Sequence, residues 1–383
     1  VMRIALLGSR VIPARYSGFE TFYEQLGVRL AARGHAVTVY NRSHFMPDAG
    51  DTCRGVRIVS LPSIPTKHLD TITHTFLSTC HALFQGYDIV YYCIVGNAPL
   101  AWLPRLTGAR TLLNVDGEDW ARGKWKGFAR WYQRGCEQVA ARTAGVVMAD
   151  AKVIMERYRA SFGIEPVFVP YGANLARNEG TDVLDKWGLR PREYILFVGR
   201  LVPENALDVL IEAFRGVHTE KKLVIVGDAP YMEDFKKHIH AMAGDRVIFT
   251  GYAFGDAYAQ LSSHAYIYVQ PSAVEGTRPA LLDQLGFGNC VVARGNQANR
   301  EVVADCGEIF DAADPVKSLA EALVRLLENP GIVDRFRGLA RNRIESYYNW
   351  EWITDFHEDL FRRLVDRREP VSYDEFLKER SVR

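Results

Sequence analysis

Two acidic residues standing eight positions apart, Glu275 and Asp283, carry the strongest chemical signal in the chain. Gly276, Thr277, Arg278, Pro279 and Ala280 run between them. Proline is well placed in a helix's first turn, where its missing N–H would have no partner anyway, so a loop through Arg278 and a helix from Pro279 are predicted. Glu275 then lies in the loop, where a carboxylate can accept hydrogen bonds from sugar hydroxyls. Asp283 lies more than a turn into the helix and can hold ribose hydroxyls. The free N–H groups of the helix start can hold a phosphate. The plain alternative is an acidic loop followed by a solvated helix residue.

Two other stretches share the pattern of an apolar run ending in glycine with a cation beside it. Phe197–Val198 leads into Gly199, Arg200 and, five residues on, Asn205. A guanidinium there can grip a diphosphate through two parallel hydrogen bonds; the alternative is a surface ion pair. Near the start, Met2–Gly8 is followed by Arg10, Arg15 and Gly18 before a helical pattern. Glycine lets backbone approach a ligand, and the helix start presents N–H groups to a phosphate. The spacing is not G-x-G-x-x-G, which argues against a dinucleotide dehydrogenase.

The elements that must position these residues read as two β/α series. Met2–Gly8, His35–Tyr40, Tyr87–Val95, Arg110–Val115, Gly145–Ala149 and Val167–Pro170 are strands of the first, with a helix over Phe19–Arg33. The second runs through strands Tyr194–Val198, Lys222–Val226, Val247–Thr250, Ala265–Val269 and Cys290–Ala293. Helices are expected between them at Ala206–Phe214, Tyr231–Ala243, Asp256–Ser263 and Pro279–Gly286. Alternation of this kind predicts parallel sheets with crossover helices, in which ligands bind beyond the carboxyl ends of the strands. The expected fold class is α/β, two doubly wound Rossmann-like domains facing one cleft: 1–175, 190–343, and a C-terminal 344–383 returning to the first. Ile344–Leu364, with Tyr348, Trp350, Trp352, Phe356 and Phe361, is expected as one aromatic helix that packs rather than reacts.

With 383 residues, 48% hydrophobic and 24% charged, the composition is that of a globular chain of two domains. A net charge of +1 gives no sign of nucleic acid. No apolar run nears the roughly 18 residues of a bilayer span, and no leader is expected ahead of the first strand. Six cysteines without a C-x-x-C pair suit a reducing cytoplasm rather than a zinc site. The charge is uneven: residues 1–175 carry +7 and the rest −6, which points to an anionic partner for the first half.

The Glu275–Asp283 segment resembles the E-x7-E signature of glycosyltransferase family 4, with Asp in second place, and Arg200 resembles that family's phosphate-binding arginine. Ile12–Thr21 (IPARYSGFET), Asn114–Trp120 (NVDGEDW), Gly199–Asn205 (GRLVPEN) and Asn299–Val303 (NREVV) are similar to a bacterial subfamily that includes rhamnosyltransferases of capsule and exopolysaccharide assembly. The resemblance spans about the whole chain. It implies a GT-B fold and sugar transfer with retention of configuration. It also implies no metal and no cofactor: the nucleotide-sugar is a substrate, with dTDP-rhamnose as the subfamily's donor and a UDP- or GDP-sugar as the rival. The absence of a strand-end D-x-D motif agrees. It further implies that Arg200, with amides near Gly18 and Thr277–Ala280, meets the leaving diphosphate, that Asp116 orients the acceptor hydroxyl, and that the base lies near Gly251–Tyr252; the plain alternatives are a turn-forming Asp116 before Gly117 and an ordinary core or surface Tyr252. Asn205 stands where the wider family has a lysine, so that charge must come from Arg200, Arg278 or Arg15.

The acceptor side is expected in the segment from Trp120 to Arg134. It interleaves Arg122, Lys124, Lys126, Arg130 and Arg134 with Trp120, Trp125, Phe128, Trp131 and Tyr132. On a helix Trp125, Phe128 and Tyr132 share one face. A basic amphipathic helix with tryptophan suits an anionic membrane surface or a lipid diphosphate. The acceptor is therefore expected to be a saccharide, free or linked to undecaprenyl diphosphate, met in the cytoplasm or at the inner face of the membrane. A core-facing aromatic stripe is the alternative. Two other functions fit the fold: a nucleotide-sugar 2-epimerase, which needs no acceptor, and a degenerate sugar-nucleotide-binding subunit, which transfers nothing.

Overall fold

The computed structural model describes residues 1–14, 18–47, 50–66, 69–115, 128–229 and 232–381. It divides into two units, Val1–Tyr171 with Trp350–Arg383, and Gly172–Asn349.

The first unit runs β1 (Arg3–Leu7), α1 (Gly18–Ala32), β2 (Ala36–Arg42), β3 (Thr52–Cys53), β4 (Val56–Leu61), α2 (Asp70–Ala82), β5 (Ile89–Cys93), β6 (Arg110–Val115), α3 (Phe128–Thr143), β7 (Val146–Ala149), α4 (Lys152–Phe162) and β8 (Val167–Phe168). Its sheet has the order β3-β4-β2-β1-β5-β6-β7-β8. Every pairing is parallel except the short β3–β4 ladder. Ile4, Ala5, Leu6 and Leu7 are all buried, because helices cover both faces of a parallel sheet and leave neither side of β1 to water.

The second unit continues with α5 (Asp182–Asp185), β9 (Tyr194–Val198), α6 (Leu207–Arg215), β10 (Lys222–Val226), α7 (Glu233–Met242), β11 (Val247–Gly251), α8 (Gly255–Ser263), β12 (Ile267–Gln270), α9 (Pro279–Gly286), β13 (Cys290–Arg294), α10 (Gln297–Val303), β14 (Gly307–Phe310), α11 (Pro315–Glu328) and α12 (Pro330–Tyr347). Its six strands are all parallel, in the order β11-β10-β9-β12-β13-β14. The core between sheet and helices is built from Ile195, Phe197, Leu210, Ile225, Val269, Val292 and Leu323.

Two helices complete the first unit, α13 (Trp350–Val365) and α14 (Tyr373–Ser381). The single helix expected over Ile344–Leu364 is in fact two. The Tyr348 carbonyl accepts the Ala173 N–H at 2.8 Å, and Asn349 bridges to Ala173. A carbonyl taken by another segment is lost to the helical ladder, so α12 stops and α13 starts afresh. The aromatic residues of α13 do pack: Trp350 lies 5.9 Å from Phe22, and Phe361 6.3 Å from Tyr91, ring to ring. Arg33 meets Glu351, Asp355 and Glu358 along the helix's polar edge. The structure thus puts the unit breaks at 171/172 and 349/350.

Candidate active site

The site in the second unit is built on loops at the carboxyl ends of adjacent strands. The loop leaving β9 is pinned by its backbone. Gly199 N–H donates to the Val226 carbonyl at 3.0 Å, and Gly227 N–H to the Gly251 carbonyl at 2.8 Å. Gly227 has φ +134°, and a Cβ there would stand 1.9 Å from the Gly199 oxygen. Only glycine allows the ends of β9 and β10 to meet this closely. Asn205 Nδ2 donates to the Arg200 carbonyl at 2.7 Å, so the residue standing in the lysine's place fixes the backbone of the arginine. The Arg200 side chain is half-buried and makes no hydrogen bond or ion pair among the described residues.

The loop after β12 is bolted to this one. Ala273 N–H and Ser272 Oγ–H both donate to the Glu204 carbonyl at 3.2 Å. The two motifs, some seventy positions apart in sequence, therefore form one surface. Arg278 turns back onto its own loop, with Nη2 2.9 Å from Ser272 Oγ and 3.2 Å from the Val274 carbonyl. It braces the turn at Gly276 (φ +119°) and the buried Thr277. Pro279 occupies the first turn of α9, and Ala280 follows it half-buried.

Both oxygens of Glu275 accept amide hydrogen bonds from the start of α10, from Gln297 at 3.0 Å and Ala298 at 2.9 Å. Asn296 caps the same helix through Asn299 N–H at 2.8 Å and reaches the Ser272 carbonyl at 3.2 Å. Glu275 is thus a helix cap from a distant loop, with a spare lone pair on each oxygen for a hydroxyl donor.

Asp283 lies half-buried on α9. The Tyr258 hydroxyl donates to its Oδ2 at 3.3 Å. Burial pushes the carboxyl up to about 7, and the tyrosine offsets part of that rise. Gln284 Nε2 donates to both Tyr258 Oη at 3.3 Å and Ser262 Oγ at 2.8 Å, which fixes the tyrosine. Sequence reasoning missed Tyr258 and Gln284, since nothing in α8 marks a tyrosine as the partner of a carboxylate 25 positions on. Tyr252 follows β11, and its ring stacks on Phe254 at 5.7 Å and 19° between planes. Both rings are exposed, and Phe254 was also missed.

In the first unit the loop after β1 is equally constrained. Gly8 has φ +102°, and a Cβ would come within 2.8 Å of the Cys93 carbonyl oxygen. The buried Arg42 ties the Gly8 carbonyl (3.3 Å) to Asp70 (2.6 Å). Asn41 brackets Ile12 through both its N–H and its carbonyl. Gly18 opens α1. Arg15, Asp116, Trp120, Lys124, Trp125 and Lys126 lie outside the described residues, and Arg130 falls in the first turn of α3 without a described side chain. Tyr132 faces inward, its hydroxyl 3.0 Å from the Gly96 carbonyl, whereas Trp131 is exposed. Among the described residues no group of three His, Cys, Asp or Glu side chains is placed to hold a metal ion, and no helix is long and apolar enough to cross a membrane.

Family models account for most of the chain. Residues 17–172 match the glycosyl transferase 4-like domain, and residues 192–329 match glycosyl transferases group 1. The chain belongs to the GT4-like, group 1 glycosyltransferases of the GT-B fold. The GDP-mannose-dependent alpha-(1-6)-phosphatidylinositol monomannoside mannosyltransferase of Mycobacterium tuberculosis is 26% identical to this glycosyltransferase, over 94% of it and 98% of the relative. The sucrose-phosphate synthase of Thermosynechococcus elongatus shares its fold with a TM-score of 0.83 at 20% identity, covering 96% and 100% of the two chains. The Anabaena protein HepE, solved with UDP-glucose, does so at 0.76 and 15%, covering 94% and 99%.

The cap at Glu275 predicts a stability effect in this glycosyltransferase. Glu275→Ala removes an anionic cap, worth about 1 kcal/mol. In calorimetry, the transition of the second unit should fall by about 2–4 °C. An unchanged transition would show that the carboxylate contributes nothing to α10.

Proposed function

We propose that this glycosyltransferase moves a hexose from a nucleotide-sugar onto a saccharide or lipid-linked saccharide, with retention and without a metal. The observation that carries this reading is Arg200, half-buried at a strand's carboxyl end beside a phosphate-ready loop, with no internal partner among the described residues. A cation held so is matched to an anion from outside, and charge grows on a departing diphosphate as the glycosidic bond breaks. Arg200, with the amides at the start of α9, meets that charge. The departing phosphate oxygen takes the acceptor hydroxyl's proton on the same face. Asp283 holds the ribose, and the Tyr252–Phe254 pair offers a stacking surface to the base.

The four motifs favour dTDP-rhamnose as donor, and cell-surface polysaccharide as the product's destination. The relatives supply the rival donors: one is named for GDP-mannose and a phosphatidylinositol-linked acceptor, and another was solved with UDP-glucose. A thermal-shift panel of dTDP-rhamnose, GDP-mannose and UDP-glucose in EDTA tests donor and metal independence together. A donor at 100 times its Kd should add about 2.7 kcal/mol of stability. A shift with GDP-mannose or UDP-glucose alone overturns rhamnose, and none with any donor in EDTA overturns metal-free binding.

A further inference from the structure

Helix α2 is built inside out. The side turned toward the sheet carries His74, Thr75, Ser78 and Thr79, all buried. The three hydroxyls are satisfied within the helix, while His74 uses one ring nitrogen and leaves Nδ1 without a partner among the described residues. Thr75, Ser78 and Thr79 hydroxyls donate to the carbonyls of Thr71, His74 and Thr75 at 2.7–2.9 Å, and His74 Nε2 lies 3.0 Å from the Asn41 carbonyl. The outer side carries Leu69, Phe76, Leu77 and, just past the helix end, Phe84. These fall at i, i+7, i+8 and i+15, one stripe along a helix. Phe84 is 86% exposed. The 3-10 turn 103–107 packs against α2 and adds Leu106, 72% exposed, and Trp102 at its start. Between Asp70 and Arg105 the only Asp, Glu, Lys or Arg is Asp88. Scattered apolar residues on a surface need no explanation, but a row of them along one side of a helix and the turn packed on it does.

We propose that this face of the first unit docks on a membrane surface containing anionic lipid. It deepens the reading of a lipid-linked acceptor, though the surface itself is read from α2, the turn packed on it and the arginines around them. The border carries more arginine than carboxylate: the cavity that Trp102 and Leu106 line holds Arg105, Arg110, Arg367 and Arg368 beside Glu165 and Glu369. Arg3, Arg57 and Arg105 are all exposed. Arg3 lies over the Tyr87 ring and against Gly86, two positions after Phe84 in sequence, and shares a cavity with Arg57 and Tyr87. The nearby carboxylate, Asp88, is held by the Arg3 backbone N–H at 2.7 Å. Lipid head groups match such an arginine border while the acyl boundary takes Phe76, Leu77, Phe84, Trp102 and Leu106. A second copy of the chain fits less well: a two-fold contact would bring the same arginines to the rim from both sides.

Vesicle flotation of the full chain without donor or acceptor tests this. At 20 mM salt the protein should rise with phosphatidylcholine vesicles containing about 30% phosphatidylglycerol, and less with phosphatidylcholine alone. Phe84→Ser with Leu106→Ser should cut binding by about tenfold or more, with Tm unchanged because both side chains already stand in water. Three results would each overturn the proposal. The wild type stays down with anionic vesicles. The double variant floats as well as the wild type, which puts the contact elsewhere, such as the basic segment 120–134. Or the wild type ignores vesicles but forms a dimer that the double variant abolishes, which assigns the face to a second copy. None of these outcomes touches donor binding, so transfer and docking fail separately.

Discussion

Arg200→Ala is expected to lower kcat/KM by about two orders of magnitude or more, in the range found when one preorganised donor to a developing negative charge is removed. In this chain the loss should sit at the severe end. The cation that the wider family places at position 205 is absent, and Asn205 is occupied in fixing the Arg200 carbonyl. Arg278 has its Nη2 turned onto Ser272 and Val274. The loop from 199 to 205 therefore brings one strong cation to the site. Lysine at position 200 should restore part of the activity, since it keeps the charge but loses the two-pronged geometry. The melting temperature should not move, because the guanidinium has no partner to lose among the described residues. Loss of turnover without loss of stability separates this role from a structural ion pair. Near wild-type turnover in Arg200→Ala would remove the assignment.

The parallel sheets were legible because their strands are buried on both faces and so appear as unbroken apolar runs, as in Ile4–Leu7 and Tyr194–Val198. The glycines at 199 and 276 marked the loops, because tight approaches and positive φ leave few other residues possible. The helix α2 was not legible. Its polar residues point inward and its apolar ones outward, which inverts the rule by which a helix is oriented from sequence. The break at Tyr348 was hidden as well, since a tertiary hydrogen bond from Ala173 imposes it. In the site, the chemistry of Glu275 and Asp283 was visible but their partners were not. Glu275 caps a helix that starts 22 positions later, and Tyr258 reaches Asp283 from another helix. Periodicity and local motifs carry no information about such contacts.

Asp283→Asn should make the protein more stable and its donor binding weaker, each with a defined pH dependence. Burial raises this carboxyl to about 7 from an ordinary 3.8. Between those values the unfolded chain has released the proton while the native protein keeps it. Stability therefore falls as pH rises through this window and stays low above it. Asparagine imitates the neutral form. The variant should melt with the wild type below pH 4, then pull ahead as pH rises, with the lead constant above about pH 7. Donor binding should run the other way. Ribose hydroxyls donate, so the ionised carboxylate is the better acceptor, and wild-type affinity should climb through neutral pH. A hydrogen bond to a charged group is worth about 1.5–3 kcal/mol, so the variant should bind about 10–100-fold more weakly at pH 8, with a flat profile. Calorimetric titration with the donor chosen by the thermal-shift panel measures this. A flat wild-type profile, or equal affinity in the variant, would detach Asp283 from the ribose. Without that role, a neutral residue such as asparagine would serve α9 better above pH 7, and the gain in binding is what explains the carboxylate.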